Sequence, residues 1–141
     1  MVSFAVTREC SLRCKHCYSD ATDSPHPDEL TTAEAKRVIT EIAEAGTRLL
    51  IFDGGEPLMR DDIYQLIAHA RSVSLQPMLG TNATLLSTEA AERTKRAGIK
   101  ALSISLHSAN AKSHDDFCGM EGSWERAMAG IRNAAAAGIP F

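Results

Sequence analysis

Apolar residues recur along the chain in two alternating patterns. Near-continuous apolar or β-branched runs fall at Ser3–Thr7 (SFAVT), Arg48–Asp53 (RLLIFD), Leu75–Gly80 and Ala101–Leu106 (ALSISL). Runs of this kind predict short strands buried on both faces, as in a parallel sheet. Pro77 interrupts the third run and makes it the weakest strand. Between the runs the period changes to that of a helix. After a Pro-containing stretch, Ser24–Asp28, Thr31 and Glu34 form a capping-box pattern, and Ala35, Val38, Ile39 and Ile42 follow on one helical face. Gly46 is a natural stop. A second helix starts near Asp61 and aligns Ile63, Leu66, Ile67 and Ala70. A third runs from about Ser87 to Gly98. The last, capped near Ser123, is expected to turn Trp124, Ala127, Met128, Ile131 and Ala135 inward and to end at Gly138. Ile139–Phe141 then reads as the opening of a fifth strand.

Strand and helix in turn, four times over, specify an α/β fold with a parallel sheet. Right-handed crossovers lay the strands in sequence order, giving a curved sheet: a partial (β/α) barrel of about four β-α units. With no interdomain linker, residues 1–141 form one domain. A strand of three residues has little to pair with, so the domain is expected to be truncated at the start of the fifth strand. The fourth strand would then offer an open apolar edge through which two copies could associate.

Composition changes this picture little. Hydrophobic residues make up 44%, charged residues 23%, and the net charge is −3. There is no basic footprint for nucleic acid or an anionic membrane, no apolar run near the ~20 residues of a membrane span, and no signal-peptide pattern at the N-terminus. The expectation is a cytoplasmic protein with neither nucleic acid nor a membrane as partner.

Cysteine usage is more informative. Cys10, Cys14 and Cys17, spaced C-x3-C-x2-C, follow the first strand directly, and Cys118 stands apart. Clustered thiols in a reducing compartment bind metal or do redox chemistry, and the C-terminal strand ends of an α/β barrel are where active sites collect. Thiolates are the usual ligands of iron–sulfur clusters. Three of them on a four-iron cluster leave one iron open, for example to a small molecule offering an amine and a carboxylate. Structural zinc stays open as an alternative; it wants a fourth ligand, awkwardly supplied by His16 or, if folding allows, by Cys118. Plain buried cysteines fit poorly beside Arg13 and Lys15.

Three further motifs stand at the other strand ends: Gly54-Gly55-Glu56-Pro57 after the second, Thr81-Asn82 after the third, and Ser103-Ile104-Ser105-Leu106-His107 closing the fourth. Each is weak alone. In order with the cysteine loop, they resemble the radical S-adenosylmethionine (SAM) superfamily over essentially the whole chain. Thr7–Tyr18, similar to T-x-x-C-N-L-x-C-x-H-C-Y, and Gly122–Arg126, similar to G-S-F-E-R, point to one branch. That branch contains enzymes of haem, haem d1 and pyrroloquinoline quinone synthesis and of peptide and sulfatase maturation, many with a C-terminal (SPASM-like) domain of auxiliary clusters.

The resemblance implies an iron–sulfur oxidoreductase in which Cys10, Cys14 and Cys17 hold a [4Fe–4S] cluster. It implies SAM contacts from Tyr18, Gly54, Gly55, Glu56, Asn82 and Ser105, with Glu56 accepting from the SAM amino group. Reductive cleavage of SAM would yield methionine and a 5′-deoxyadenosyl radical that abstracts hydrogen from a small-molecule or peptide substrate. A tetrapyrrole in cofactor biosynthesis comes first, with a ferredoxin or flavodoxin as reductant. A peptide- or protein-maturing enzyme and a non-catalytic iron–sulfur electron carrier remain alternatives, and no catalytic residue is assigned. His16 offers a flat ring to the adenine or a shield for the cluster. Two residues depart from the family pattern. His107 stands where many members have Asp, and Cys118 stands where an H-D-x-x-R-G stretch has Arg; Cys118 is either a semi-buried free thiol or a participant in substrate chemistry.

Overall fold

A computed structural model describes residues 1–141. Four parallel strands, β1 (Val2–Thr7), β2 (Leu49–Gly54), β3 (Gln76–Thr81) and β4 (Ala101–Ile104), lie side by side in sequence order. Phe4 pairs with Phe52, Ile51 with Met78 and Leu79 with Leu102. Helices α1 (Thr32–Glu44), α2 (Ile63–Ser72), α3 (Thr88–Ala97) and α5 (Ser123–Ala136) form the outer layer, each against its neighbour, and a shorter α4 (Ala111–Cys118) packs on α5. The α/β expectation of a partial barrel with four β-α units holds. No helix is long and apolar enough to cross a membrane.

Strand side chains alternate between faces. Leu50 and Phe52 of β2, Leu79 of β3 and Leu102 of β4 point toward the helices and meet Ala35, Ile39, Ile63, Leu66, Ile67, Ala70, Ala91 and Ala134. Each large apolar side chain so buried contributes ~1.5–3 kcal/mol. Ile51, Asp53, Gly80 and Ser103 lie on the opposite, concave face and line a cavity. The strands are therefore buried fully on the helix side only; Ile51 is half-buried and Ser103 exposed. The capping box forms as read: the Thr31 amide donates to Glu34 Oε2 at 2.9 Å and the Glu34 amide to Thr31 Oγ1 at 3.4 Å.

Local pattern and packing part company at four places. β3 is continuous through Pro77, because the proline sits at the strand's start, where its carbonyl accepts from Lys100 just before β4 begins. β4 ends at Ile104, short of Leu106. Helix α4 has no apolar stripe to announce it: it buries only His114 and Cys118 and is started by Asn110, whose side chain accepts from the Ser113 amide. Helix α5 turns Ser123, Ala127, Gly130 and Ala134 inward, while Trp124, Met128 and Ile131 are half-buried and Ala135 is exposed. The reason is distance: a Cβ on Gly130 would collide with the Ala83 carbonyl oxygen, so only small residues fit that face. At the far edge, Ile139 is buried and the Leu102 amide donates to the Pro140 carbonyl at 2.8 Å; Ile139–Phe141 make this one bond to β4 and no strand ladder.

Candidate functional site

Because all four strands are parallel, their C-terminal ends share one rim. The loops leaving that rim enclose an open cavity of about 320 Å³, a size in the lower range of small-molecule sites. Cys10, Cys14 and Cys17 all line it. So do Tyr18, Gly54, Gly55, Asn82 and Ser105. Of the residues singled out in the sequence for cofactor or metal binding, Glu56 alone stays off the cavity wall.

The cysteine loop is tied down from three sides. The Cys10 amide donates to the Thr22 carbonyl and the Thr22 amide to the Arg8 carbonyl, while the Arg8 guanidinium meets Asp20 at 2.9 Å. The Arg13 guanidinium donates to the carbonyls of Cys10 and Leu12, both at 2.7 Å. The backbone amides of Arg13 and Lys15 donate to the carbonyls of Cys118 and Phe117, fastening the loop to the last turn of α4. Gly119 ends that helix with a φ of +70°, where a Cβ would collide with the Arg13 carbonyl oxygen. Amides also reach the sulfurs: Leu12 N–H lies 3.4 Å from Cys10 Sγ and Ala21 N–H 3.5 Å from Cys17 Sγ.

The two glycines have a backbone task as well as an exposed face. The Gly55 amide donates to the Thr7 carbonyl at 2.8 Å and the Glu56 amide to the Glu9 carbonyl at 2.7 Å. A Cβ on Gly54 would strike the Thr7 carbonyl oxygen, and one on Gly55 that of Glu9. The pair thus lets the β2 exit loop lie directly on the chain leading to Cys10.

Glu56 is fully buried, and its carboxylate accepts from the Thr81 hydroxyl and from the Asn82 and Leu58 amides. In the ligand-free chain this carboxylate is engaged behind the wall, where it positions the end of β3. Burial pushes its pKa up to about 7, against the opposing pull of those donors.

Asp53 has a role that the sequence signalled only as a polar residue closing an apolar strand. Its carboxylate accepts from the Tyr18 hydroxyl at 2.6 Å, from Ser3 at 3.2 Å and from the Gly54 amide at 2.9 Å. Tyr18, 80% exposed, is held over the cavity mouth by this bond, which also raises its phenol pKa. Asn82 accepts from the Thr84 amide and hydroxyl through Oδ1. That leaves its Nδ2 directed at Cys10 Sγ, 3.7 Å away. The Ser105 amide donates to the Thr81 carbonyl, so the Ser105 hydroxyl hangs at the rim just beyond β4.

Burial pushes the Cys14 thiol up to about 12, with the adjacent Cys118 sulfur adding to it; Cys10 is raised by burial too, against the Leu12 amide. Such thiols are neutral until a cation stabilises the thiolates. On the other side of Cys14, the rings of His16, Phe117 and His107 pack with centroids 4.6–5.0 Å apart. His114 Nδ1 accepts the His107 amide at 3.2 Å, which places the ring proton on Nε2, 3.5 Å from Cys118 Sγ. Burial, with His16 and His114 adding, pushes the His107 pKa down, so its ring is neutral near pH 7. His16 therefore belongs to an aromatic group beside the cysteines, and α4 supplies neighbours that no local pattern foretold.

Three thiols from one loop facing one cavity, two of them receiving amide hydrogen bonds, are a donor set for a soft metal centre. Comparisons with known proteins agree. The model of the radical SAM superfamily matches residues 4–141. Over all 141 residues the chain is 42% identical to an AdoMet-dependent heme synthase of Nitratidesulfovibrio vulgaris, spanning 38% of that protein. Over 139 residues, 99% of the chain, it is 37% identical to a pre-heme d1 synthase of Dinoroseobacter shibae, spanning 34% of it. The solved structure of Streptococcus suis SuiB bound to its precursor peptide SuiA superposes with a TM-score of 0.82. At 18% identity, with 97% of this chain and 30% of that one covered, the likeness shows a shared fold. The chain thus corresponds to little more than a third of the length of the curated relatives it matches.

Proposed function

Since this chain belongs to the radical SAM superfamily, we propose that residues 1–141 are the N-terminal part of a radical SAM catalytic core. Cys10, Cys14 and Cys17 hold a [4Fe–4S] cluster, and SAM occupies the adjoining cavity against Tyr18, Gly54, Gly55, Asn82 and Ser105, with Glu56 as a positioning group. The single observation that carries this reading is the convergence of the three thiols and both glycines on one cavity at the strand rim. When bound, the cluster supplies the electron that cleaves SAM reductively to a hydrogen-abstracting 5′-deoxyadenosyl radical.

The chain's own residues do the rest. The Leu12 amide donates to Cys10 Sγ and the Ala21 amide to Cys17 Sγ, which orients the two sulfurs. Asn82 Nδ2 adds a third donor beside Cys10. Gly54 and Gly55 line the cavity, so a ligand's polar end can meet their main-chain atoms. The half-buried Ile51 and the buried Leu12 offer apolar wall that keeps water from one side of the cavity. Ser103 and Ser105 at the β4 end are candidates for ribose or carboxylate contacts.

The substrate class follows from kinship. Identity to a heme synthase and a pre-heme d1 synthase over the whole chain favours a tetrapyrrole in cofactor biosynthesis. A peptide substrate is the second reading, favoured by 34% identity to a PqqA peptide cyclase of Methylocella silvestris. A ferredoxin or flavodoxin as reductant, a cytoplasmic setting for four free thiols, and pairing of two copies through the β4 edge complete the proposal. Beyond β3, that edge carries only the Pro140 bond.

Anaerobic reconstitution tests it. The expected result is about four irons and four sulfides per chain, with added SAM perturbing the electron paramagnetic resonance signal of the reduced cluster. A cluster that cycles without responding to SAM would make the protein an electron carrier. Tight stoichiometric zinc with no cluster under any condition would make it a zinc-stabilised scaffold.

A further inference from the structure

Cys14 has a second set of partners that the cluster does not use. Its Sγ, the Sγ of Cys118 and a ring nitrogen of His107 all lie within 4.8 Å of one another. Two thiols and an imidazole on one centre are the donors that Zn²⁺ takes, with one position left for water or another ligand. Around Zn²⁺ such atoms would stand about 3.3–3.8 Å apart, so the group needs to close by roughly an ångström, within reach of side-chain rotation at the half-exposed Cys14 and the exposed His107.

The surroundings are built to hold this group together. The Arg13 and Lys15 amides fasten the backbone on both sides of Cys14 to the carbonyls of Cys118 and Phe117. His114, fully buried, aims Nε2–H at Cys118 Sγ and takes the His107 amide on Nδ1, linking two of the three donors through one ring. An outer partner of this kind orients a metal ligand. His16 and Phe117 pack against the His107 ring. His107 and Cys118 are also the two residues at which the sequence departs from the family pattern, and the fold brings both to Cys14.

We propose that the cluster-free protein binds one Zn²⁺, or a like soft divalent ion, through Cys14, His107 and Cys118. Cys14 cannot ligate this ion and the cluster together. The two are therefore mutually exclusive, and the ion competes with cluster loading. The exclusivity rests on the cluster assignment above; the ion site itself does not.

The test is titration of the cluster-free 141-residue chain with Co²⁺ under anaerobic conditions, followed by displacement with Zn²⁺. Thiolate-to-cobalt and tetrahedral d–d absorption is expected to saturate at one equivalent. His107→Ala and Cys118→Ala are each expected to weaken the site by about tenfold or more, while the double variant Cys10→Ala/Cys17→Ala keeps it. Cobalt absorption lost with Cys10→Ala/Cys17→Ala but intact in His107→Ala and Cys118→Ala would overturn the proposal, since the ion would then sit among the loop cysteines. Circular dichroism of each variant, with Cys118→Ser as a conservative check, separates loss of a ligand from loss of the fold. Iron loading reads the cluster independently: preloaded Zn²⁺ is expected to block it in the parent chain and not in Cys118→Ala. Equal blocking in both would overturn the competition. A chain that takes no iron but keeps the His107- and Cys118-dependent cobalt site would sink the cluster assignment alone.

Discussion

The Thr81 hydroxyl lies 2.9 and 3.0 Å from the two carboxylate oxygens of Glu56; both residues are buried, Glu56 behind the cavity wall that Thr81 helps to form. The same hydroxyl oxygen accepts from the Ala83 amide, and the carboxylate also receives the Asn82 amide. One buried acid thus sets the path of the chain as it leaves β3, and with it the position of Asn82 beside Cys10.

That acid carries a pH signature. Its folded pKa, about 7, stands above the ordinary value of 4.5 because of burial. The folded chain therefore holds the proton more tightly than the unfolded chain. The resulting stability is complete below the ordinary carboxylate range and is lost as pH rises through about 7. Urea midpoints of the cluster-free chain are expected to fall between about pH 5 and about pH 8, and Glu56→Gln to flatten this difference by at most ~3 kcal/mol. An unchanged slope in Glu56→Gln would show that another group titrates. Glu56→Ala leaves the Asn82 and Leu58 amides without an acceptor and is expected to cost about 1–3 kcal/mol.

Removing any one of Cys10, Cys14 or Cys17 by substitution with Ala is expected to abolish stable cluster binding, read as iron and sulfide content after reconstitution. Cys118→Ser is expected to keep about four irons per chain. Iron loss in Cys118→Ser equal to that in Cys10→Ala would place Cys118 among the cluster ligands.

A helix glycine exchanged for alanine ordinarily gains up to ~1 kcal/mol. Gly130→Ala is expected to do the reverse, because the added methyl meets the Ala83 carbonyl oxygen at the α5 contact. A loss of about 1–3 kcal/mol should appear as a lower thermal midpoint. A gain would mean that α5 stands farther from the β3–α3 connection than described.

Asp115 joins α4 to α5. Its carboxylate accepts from the Gly122 amide, the Ser123 hydroxyl and the Trp124 amide at 2.6–2.8 Å, satisfying the start of α5 from another helix. Those donors hold its pKa below the ordinary carboxylate value. Its contribution is thus present above that value and is lost as pH falls through the lowered one. Asp115→Asn is expected to lower the thermal midpoint near neutral pH and to remove part of the acid-side loss of stability. Equal midpoints in parent and variant at neutral pH would show that α5 needs no such cap.

Much of this protein was determined by its sequence alone. Strand and helix order, the Thr31–Glu34 capping box, the inward faces of α1 and α2, and the grouping of four motifs at one rim all follow from periods, caps and spacings that act within a few residues, plus the single consequence of parallel strands. Even the three cysteines are local, since one loop carries them. What only the tertiary structure decided depends on elements far apart in the chain. Glu56 turned inward because Thr81, Leu58 and Asn82 give a buried carboxylate its donors. Gly54 and Gly55 are needed where β1's exit lies against β2's, and Gly130 where a helix meets a carbonyl. Cys14, His107 and Cys118 meet because a polar, stripeless α4 docks its last turn on the cysteine loop through two backbone hydrogen bonds. Periodicity is blind to such contacts, since they arise from close approach between distant segments and not from any pattern along one of them.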